Sequence, residues 1–169
     1  ERKRAEEKLR ESEALKSAMF ETALDCIISI DHDGRVIEFN PAAERTFGYR
    51  RAEAMGKELA ELIIPPRLRE QHRRGLARYL ATGEGPVLGK RVEIPAVRAD
   101  GAEFPVELSV TRIPGEGAPL FTAYLRDFAA TVARSLPARN LAIVNGHGGN
   151  RGILENLLHE LRGDFGLNA

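Results

Sequence analysis

Cys26-Ile27-Ile28-Ser29-Ile30-Asp31-His32-Asp33-Gly34-Arg35-Val36-Ile37-Glu38-Phe39-Asn40 is the stretch on which the fold turns. CIISID reads as a strand, His32-Asp33-Gly34 supplies a tight turn, and RVIEFN reads as the strand returning beside it. After it, Pro41 starts a helical stretch, PAAERTFGY, that stops near Gly48. RAEAMGKELAELI predicts a second short helix running into Pro65-Pro66, and a longer third follows from Arg67 to Thr82, ended by Gly83. VLGKRVEIPAV, AEFPVELSVTRI and PLFTAYLRD predict three more strands, separated by the turn Ala99-Asp100-Gly101 and the PGEGA loop. In the middle one, Phe104, Val106, Leu108 and Val110 fall on one face and Glu107, Ser109 and Thr111 on the other. Two strands, three helices and three strands predict an α+β domain, a five-stranded antiparallel sheet with its helices on one face.

Toward the N-terminus, ERKRAEEKLRESEALKSAMFETALD contains no Gly or Pro and is dominated by strong helix formers, so it predicts a helix. Ala5, Leu9, Ser12, Met19 and Ala23 fall on approximately one seven-residue seam that Lys16 interrupts. That pattern suits either a short, weak coiled coil or a solvated linker helix. On the third helix the inward stripe reads Leu68, His72, Gly75, Leu76, Tyr79 and Leu80. Arg67, Arg69, Arg73, Arg74 and Arg78 crowd its remaining surface. With acidic residues balancing them and no aromatic platform between them, they read as a solvated face rather than a nucleic-acid contact.

Composition narrows the function classes. Lys plus Arg number 25 and Asp plus Glu number 25, so no overall field draws the chain to nucleic acid or anionic lipid. The single cysteine, Cys26, excludes an internal disulfide and lies in an apolar run where it reads as a small buried hydrophobe. No apolar stretch approaches the roughly 20 residues needed to span a bilayer, and the charged start is unlike a secretory signal. The expectation is a cytoplasmic protein, or the cytoplasmic part of a larger one, without membrane insertion.

Several phrases recur in one order: Asp33-Gly34, Glu38-Phe39-Asn40-Pro41-Ala42-Ala43, Phe47-Gly48-Tyr49, Gly56, Arg98-Ala99-Asp100-Gly101, Phe104-Pro105-Val106 and Arg126-Asp127. Together they resemble the PAS family of sensor domains over about Phe20 to Asp127. The resemblance implies a sensory role. A pocket between sheet and helices takes a cofactor or metabolite, or the protein forms a homodimer through the sheet or the N-terminal helix, and flanking helices pass the state to a signalling effector domain. ERKRAEEKLRESE resembles the connector between successive PAS units, and Arg126-Asp127 resembles the family's exit signal, whose carboxylate caps an outgoing helix. The flavin-binding branch uses an Asn-Cys-Arg phrase that this chain lacks. IPPRLREQHRRGLARY resembles the helix that brings the axial histidine to haem in the oxygen-sensing branch, which would make His72 the iron ligand. The distal Arg of that branch falls, by ungapped counting, at Val92, with Lys90 and Arg91 differently phased. A hydrogen-bonded core or surface imidazole is the alternative role for His72.

Beyond Ala129 the chain changes character. ATVARSLPAR reads as a helix, LAIV as a buried strand, NGHGGN as the loop at its end, and NRGILENLLHELRGDFG as a second helix. This segment resembles part of the creatininase family of metal-dependent amidohydrolases, and by that resemblance His147 would ligate a divalent metal. The family's other ligands, an early Glu-x-His with a nearby Asp and a late Glu, have no counterpart upstream. One imidazole cannot hold a catalytic metal pair, so no catalytic residue is assigned and independent hydrolysis is not expected. His159, near the leucine stripe of the second helix, reads as a boundary residue. The chain stops where that family's next strand would begin, which suggests a truncation or a fusion. The expected organisation is a linker helix at 1–19, a sensor domain at 20–127 and an incomplete helix-strand-helix appendage at 128–169.

Overall fold

The computed structural model describes residues 2–127, and the expectations for the appendage, His147 and His159 included, lie outside the described residues. Helix α1 (Arg2–Thr22) is followed by β1 (Cys26–Ile30) and β2 (Val36–Phe39). Four short helices come next: α2 (Pro41–Phe47), α3 (Arg51–Ala54), α4 (Leu59–Ile63) and, after a 3-10 turn at Pro66–Leu68, α5 (Arg69–Thr82). Strands β3 (Arg91–Val97), β4 (Glu103–Ile113) and β5 (Leu120–Asp127) complete the domain. The five strands form one antiparallel sheet in the order β2-β1-β5-β4-β3, so the first hairpin meets the last strand at the sheet's centre. Among the described residues no helix is long and apolar enough to cross a membrane.

The turn between β1 and β2 is built by side chain as much as by backbone. The Asp31 carboxylate accepts from the N–H groups of Asp33 and Arg35, each at 2.9 Å, and Gly34 takes φ 77°. Asn40, wholly buried, ends the hairpin and caps α2, its Oδ1 accepting from Ala43 N at 2.9 Å. Gly48 closes that helix in the left-handed region. The dry core lies between the sheet and α2 to α4, with Phe39, Phe47 and Phe104 fully buried beside Ile28, Val36, Ile63 and Val106. The Phe47 and Phe104 rings meet at 5.6 Å between centroids. The β4 alternation holds: Phe104, Val106 and Leu108 are buried and Val110 packs on the core from its edge.

Two expectations are corrected. RAEAMGKELAELI forms two helices, because Val36 accepts from Gly56 N at 2.8 Å and donates to Lys57 O at 2.9 Å, pulling the chain out of helical geometry at Gly56. The inward stripe of α5 is narrower than its spacing suggests: Leu68, His72, Leu76 and Tyr79 are half-buried, whereas Gly75 and Leu80 are exposed. The bounds of α5 and β3 also differ from the predicted ones, since the turn before Arg69 is 3-10 and β3 begins only at Arg91.

Candidate functional site

The helix α5 stands over the sheet without burying any of its fourteen residues completely. A helix packed flush on a sheet buries its apolar face. Here Leu68, Leu76 and Tyr79, with Leu88 from the following loop and Val92, Ile94, Val110 and Ala123 from the sheet, touch the core but remain partly open. These partly open side chains mark out an apolar region, the candidate cleft, between α5 and strands β3, β4 and β5. Tyr79 crosses it, meeting Phe121 of β5 edge-on at 5.3 Å between centroids.

His72 lies on the same face of α5. Burial pushes its pKa below the ordinary histidine value, Glu58 opposing and Arg73 adding to the effect, so the neutral imidazole is favoured at pH 7. Among the described residues no hydrogen bond engages its ring nitrogens. Val92, at the position expected for a distal Arg, is half-buried and pairs with Leu108 across the β3–β4 ladder. Lys90 and Arg91 are exposed, and Arg91 pairs with Glu107 at 3.3 Å. Among the described residues the candidate cleft thus offers the His72 imidazole and apolar side chains, with Val92 rather than a guanidinium at the expected distal position.

Four of the five arginines on α5 and the turn before it, Arg67, Arg69, Arg73 and Arg74, engage carboxylates. Arg73 forks onto Glu58 at 2.6 and 2.9 Å and also reaches Glu61; Arg69 pairs with Glu61, Arg67 with Glu103, and Arg74 with Glu70 at 3.9 Å. The hydrogen bonds from Arg73 hold the Glu58 carboxyl below the usual range. This pairing fits a solvated, internally balanced face. Among the described residues no group of three His, Cys, Asp or Glu side chains is placed to hold a metal ion.

A second constellation gathers where the chain enters and leaves the sheet. Asn40 Nδ2 donates to Asp25 O at 3.0 Å and Phe20 O at 3.4 Å, while its Oδ1 accepts from Ile27 N at 2.9 Å. The Arg126 guanidinium forks onto Asp25 at 2.9 and 2.6 Å, joining the end of β5 to the start of β1. Asp127 accepts from Arg98 at 2.9 Å, and Arg98 also donates to Thr46 O while lying 3.8 Å over the Phe104 ring. Asp127 is therefore held by Arg98; the capping of an outgoing helix falls outside the described residues. Arg51 sits 5.7 Å over Phe20 and pairs with Glu21 at 3.4 Å, the main side-chain grip on α1. Upstream of Phe20, α1 is exposed throughout, Leu9, Leu15 and Met19 included. The Asp25–Arg126 and Arg98–Asp127 pairs were not foreseen from the sequence, since their partners lie 101 and 29 residues apart.

Comparison with known proteins gives the same architecture. A family model described as PAS domain matches residues 24–129. The sensor protein FixL of Bradyrhizobium diazoefficiens is 33% identical over 127 residues, which cover 75% of this chain and 25% of that protein. The oxygen sensor protein DosP of Escherichia coli is 28% identical over 120 residues, 71% of this chain and 15% of that protein. The chain thus spans a quarter or less of the length of these relatives. Among solved structures, the PAS domain of an HTR-like protein from Haloarcula marismortui superposes with a TM-score of 0.59 at 28% identity, covering 75% of this chain and 99% of that one. The family match ends at residue 129, and these comparisons do not support the creatininase resemblance of the tail.

Proposed function

This chain belongs to the PAS domain family, and on that premise we propose that residues 20–127 are the input unit of a longer signalling protein, binding a small apolar ligand in the cleft under α5. The observation that carries the proposal is the α5 stripe of Leu68, Leu76 and Tyr79, directed at the sheet yet incompletely buried. Apolar walls with few polar groups are what a small-molecule site requires. The junction at Asp25, Asn40 and Arg126 supports a relay, because it ties α1 and the end of β5 to the sheet that floors the cleft. The exposed apolar positions of α1 support a homodimer in which two copies cover Leu9 and Met19, with the linker at 1–19 passing the state to an effector domain in the cytoplasm. Purified protein would be examined for co-purifying ligand by native mass spectrometry, for thermal shifts with a metabolite panel, and for mass in solution. No ligand, no shift and a monomer together would defeat the proposal.

A second reading, haem binding, is favoured by one observation: His72 offers a neutral imidazole without a hydrogen-bond partner among the described residues, on the face that lines the cleft. That donor and those walls fit a haem with one protein ligand. His72 would hold the iron, and Leu68, Leu76, Val92, Ile94 and Val110 would surround the ring. When bound, haem would supply an iron able to take a diatomic gas. With Val92 in place of a guanidinium, this chain would give such a gas no charged donor from that position. Reconstitution with haemin should produce a Soret band that His72→Ala removes; a band unchanged in that variant refutes the assignment.

For residues 128–169 we carry the creatininase resemblance as a partial metal site centred on His147, without catalysis of its own.

A further inference from the structure

The helix α5 is fastened by polar contacts at one end only. Near its start Arg69 donates to Ile64 O at 3.2 Å and to Glu61, and Arg73 forks onto Glu58 and reaches Glu61. Glu58 is a firm anchor, bridged to Arg35 and followed by Leu59, whose N–H donates to Gly34 O at 2.9 Å. From Arg74 to Val87 the pattern reverses. Among the described residues, the hydrogen bonds and ion pairs of this stretch stay within residues 70–90: Arg74 to Glu70, Thr82 to Arg78, Gly83 to Tyr79, Glu84 to Thr82 and Lys90 to Val87. The next fastening to the sheet is at Leu88 and Gly89, where Gly89 N donates to Val110 O at 3.0 Å.

What holds the stretch down is apolar contact. Leu76 lies against Gly34, where a Cβ would come within 3.3 Å of its Cδ2, and Tyr79 rests edge-on against Phe121. Gly85 sits close behind: a Cβ there would lie 2.8 Å from Leu88 Cδ1 and 3.2 Å from the Tyr79 ring. Gly83 and Gly89, both at positive φ, bracket this loop. Among the described residues, lifting the stretch therefore breaks van der Waals contacts and no hydrogen bond to the sheet or to α2 to α4, and bends the helix's own ladder and the Arg74–Glu70 pair at the hinge, while lifting the start of α5 would break the Arg69 and Arg73 pairs.

We propose that residues 74–87 form a flap over the cleft, hinged at the Arg73 fork and at Gly89, with Tyr79 as the gating side chain that closes on Phe121. This rests on the reading of the cleft as the ligand site and adds how a ligand is admitted: past the C-terminal half of α5, by outward movement of Tyr79. The expected ligand is uncharged and largely apolar, since the gate and the side chains behind it are.

Hydrogen exchange on the full chain tests the hinge. Peptides covering 76–87 should exchange about tenfold or more faster than those covering 69–75, and Arg73→Gln should remove the difference. Uniform exchange along α5 in the wild type would overturn the hinge. Stopped-flow association of Nile red tests the gate. Tyr79→Ala should bind about tenfold faster, because an aromatic contact of this type contributes roughly that factor, while Tyr79→Phe should keep the wild-type rate. Gly85→Ala, which crowds Leu88 and Tyr79 without deleting either, should also bind faster. Association at one common rate in all four proteins would overturn the gate alone. Absence of Nile red binding in every protein would remove the cleft reading and the gate with it.

Discussion

Replacing Asn40 by alanine is the most demanding test of how this domain is joined to its linkers. The side chain is fully buried and makes four hydrogen bonds: from the Ala43 and Ile27 N–H groups to Oδ1, and from Nδ2 to the carbonyls of Asp25 and Phe20. Loss of the α2 cap costs about 1 kcal/mol. The Ile27 N–H and the Asp25 carbonyl, left without this partner, add about 1 to 2 kcal/mol each. The 3.4 Å bond to Phe20 is long enough to be left out of the sum. The expected loss is therefore about 3 to 5 kcal/mol, a large part of the roughly 5 to 15 kcal/mol that stabilises a domain. Because the chain has no Trp, urea unfolding is best followed by far-ultraviolet circular dichroism. Asn40→Ser keeps a cap acceptor for Ala43 but reaches neither Ile27 nor Asp25, so it should recover about 1 kcal/mol. A loss below about 1 kcal/mol for Asn40→Ala, or equal losses for Ala and Ser, would show that water or backbone movement replaces these bonds and that the hub reasoning is wrong.

Gly48→Ala should destabilise by about 1 to 2 kcal/mol, since the residue has φ 78° and its Cβ would meet the Ala99 Cβ at 3.3 Å; thermal unfolding checks this, and a neutral outcome would contradict the left-handed cap. Acidification should weaken the fold through His72. Its folded pKa lies below the unfolded value of about 6.5, so between the two the unfolded chain binds more protons and stability falls as pH drops from about 6.5 toward the folded pKa; His72→Gln should flatten that part of the pH profile, and an unchanged profile would refute the assignment. In the tail, His147→Ala should abolish any stoichiometric zinc or manganese, and metal retained in that variant would end the partial-site reading.

How far the sequence could be read depended on how local each cause was. The Asp33-Gly34 turn, the β4 alternation and the glycine stops at Gly48 and Gly83 depend on neighbours a few residues away, and all appear in the structure. RAEAMGKELAELI misled because its apolar spacing is helical throughout, while its break comes from Val36, twenty residues upstream of Gly56 and bonded to both sides of it. Leu80 fits the α5 stripe by spacing, but the helix turns Leu76 and Tyr79 toward Gly34 and Phe121 and leaves Leu80 in solvent. At the candidate site, His72 could be placed on the apolar face from the helical period alone. That its nitrogens would lack a partner among the described residues could not, because that depends on which side chains the fold brings near, Glu58 among them. Asn40 was visible as part of a phrase, but its role depends on carbonyls 15 and 20 residues away.

The placement of β5 gives the cleft and the junction a common element. Phe121 near its start faces Tyr79, and five residues later Arg126 holds Asp25 while Asp127 receives Arg98. At about 3.3 Å per residue these ends are about 17 Å apart, spanned by a strand hydrogen-bonded on both sides, to β1 and to β4. Sliding β5 along its axis would break both ladders and flip every side chain at a one-residue step. On the proposed ligand site, a push on Phe121 would therefore be conveyed as a change in the tilt or twist of the central strands. The ion pairs at the far end respond to such a change, because a bidentate fork is sensitive to angle. On the proposed relay, Arg126 would turn the tilt of β5 into a displacement of Asp25, and Asn40, bonded to the Asp25 and Phe20 carbonyls, would carry it toward the last turn of α1. With α1 gripped near Phe20 and exposed beyond it among the described residues, a small rotation at that turn would become a large movement over the roughly 30 Å of helix upstream.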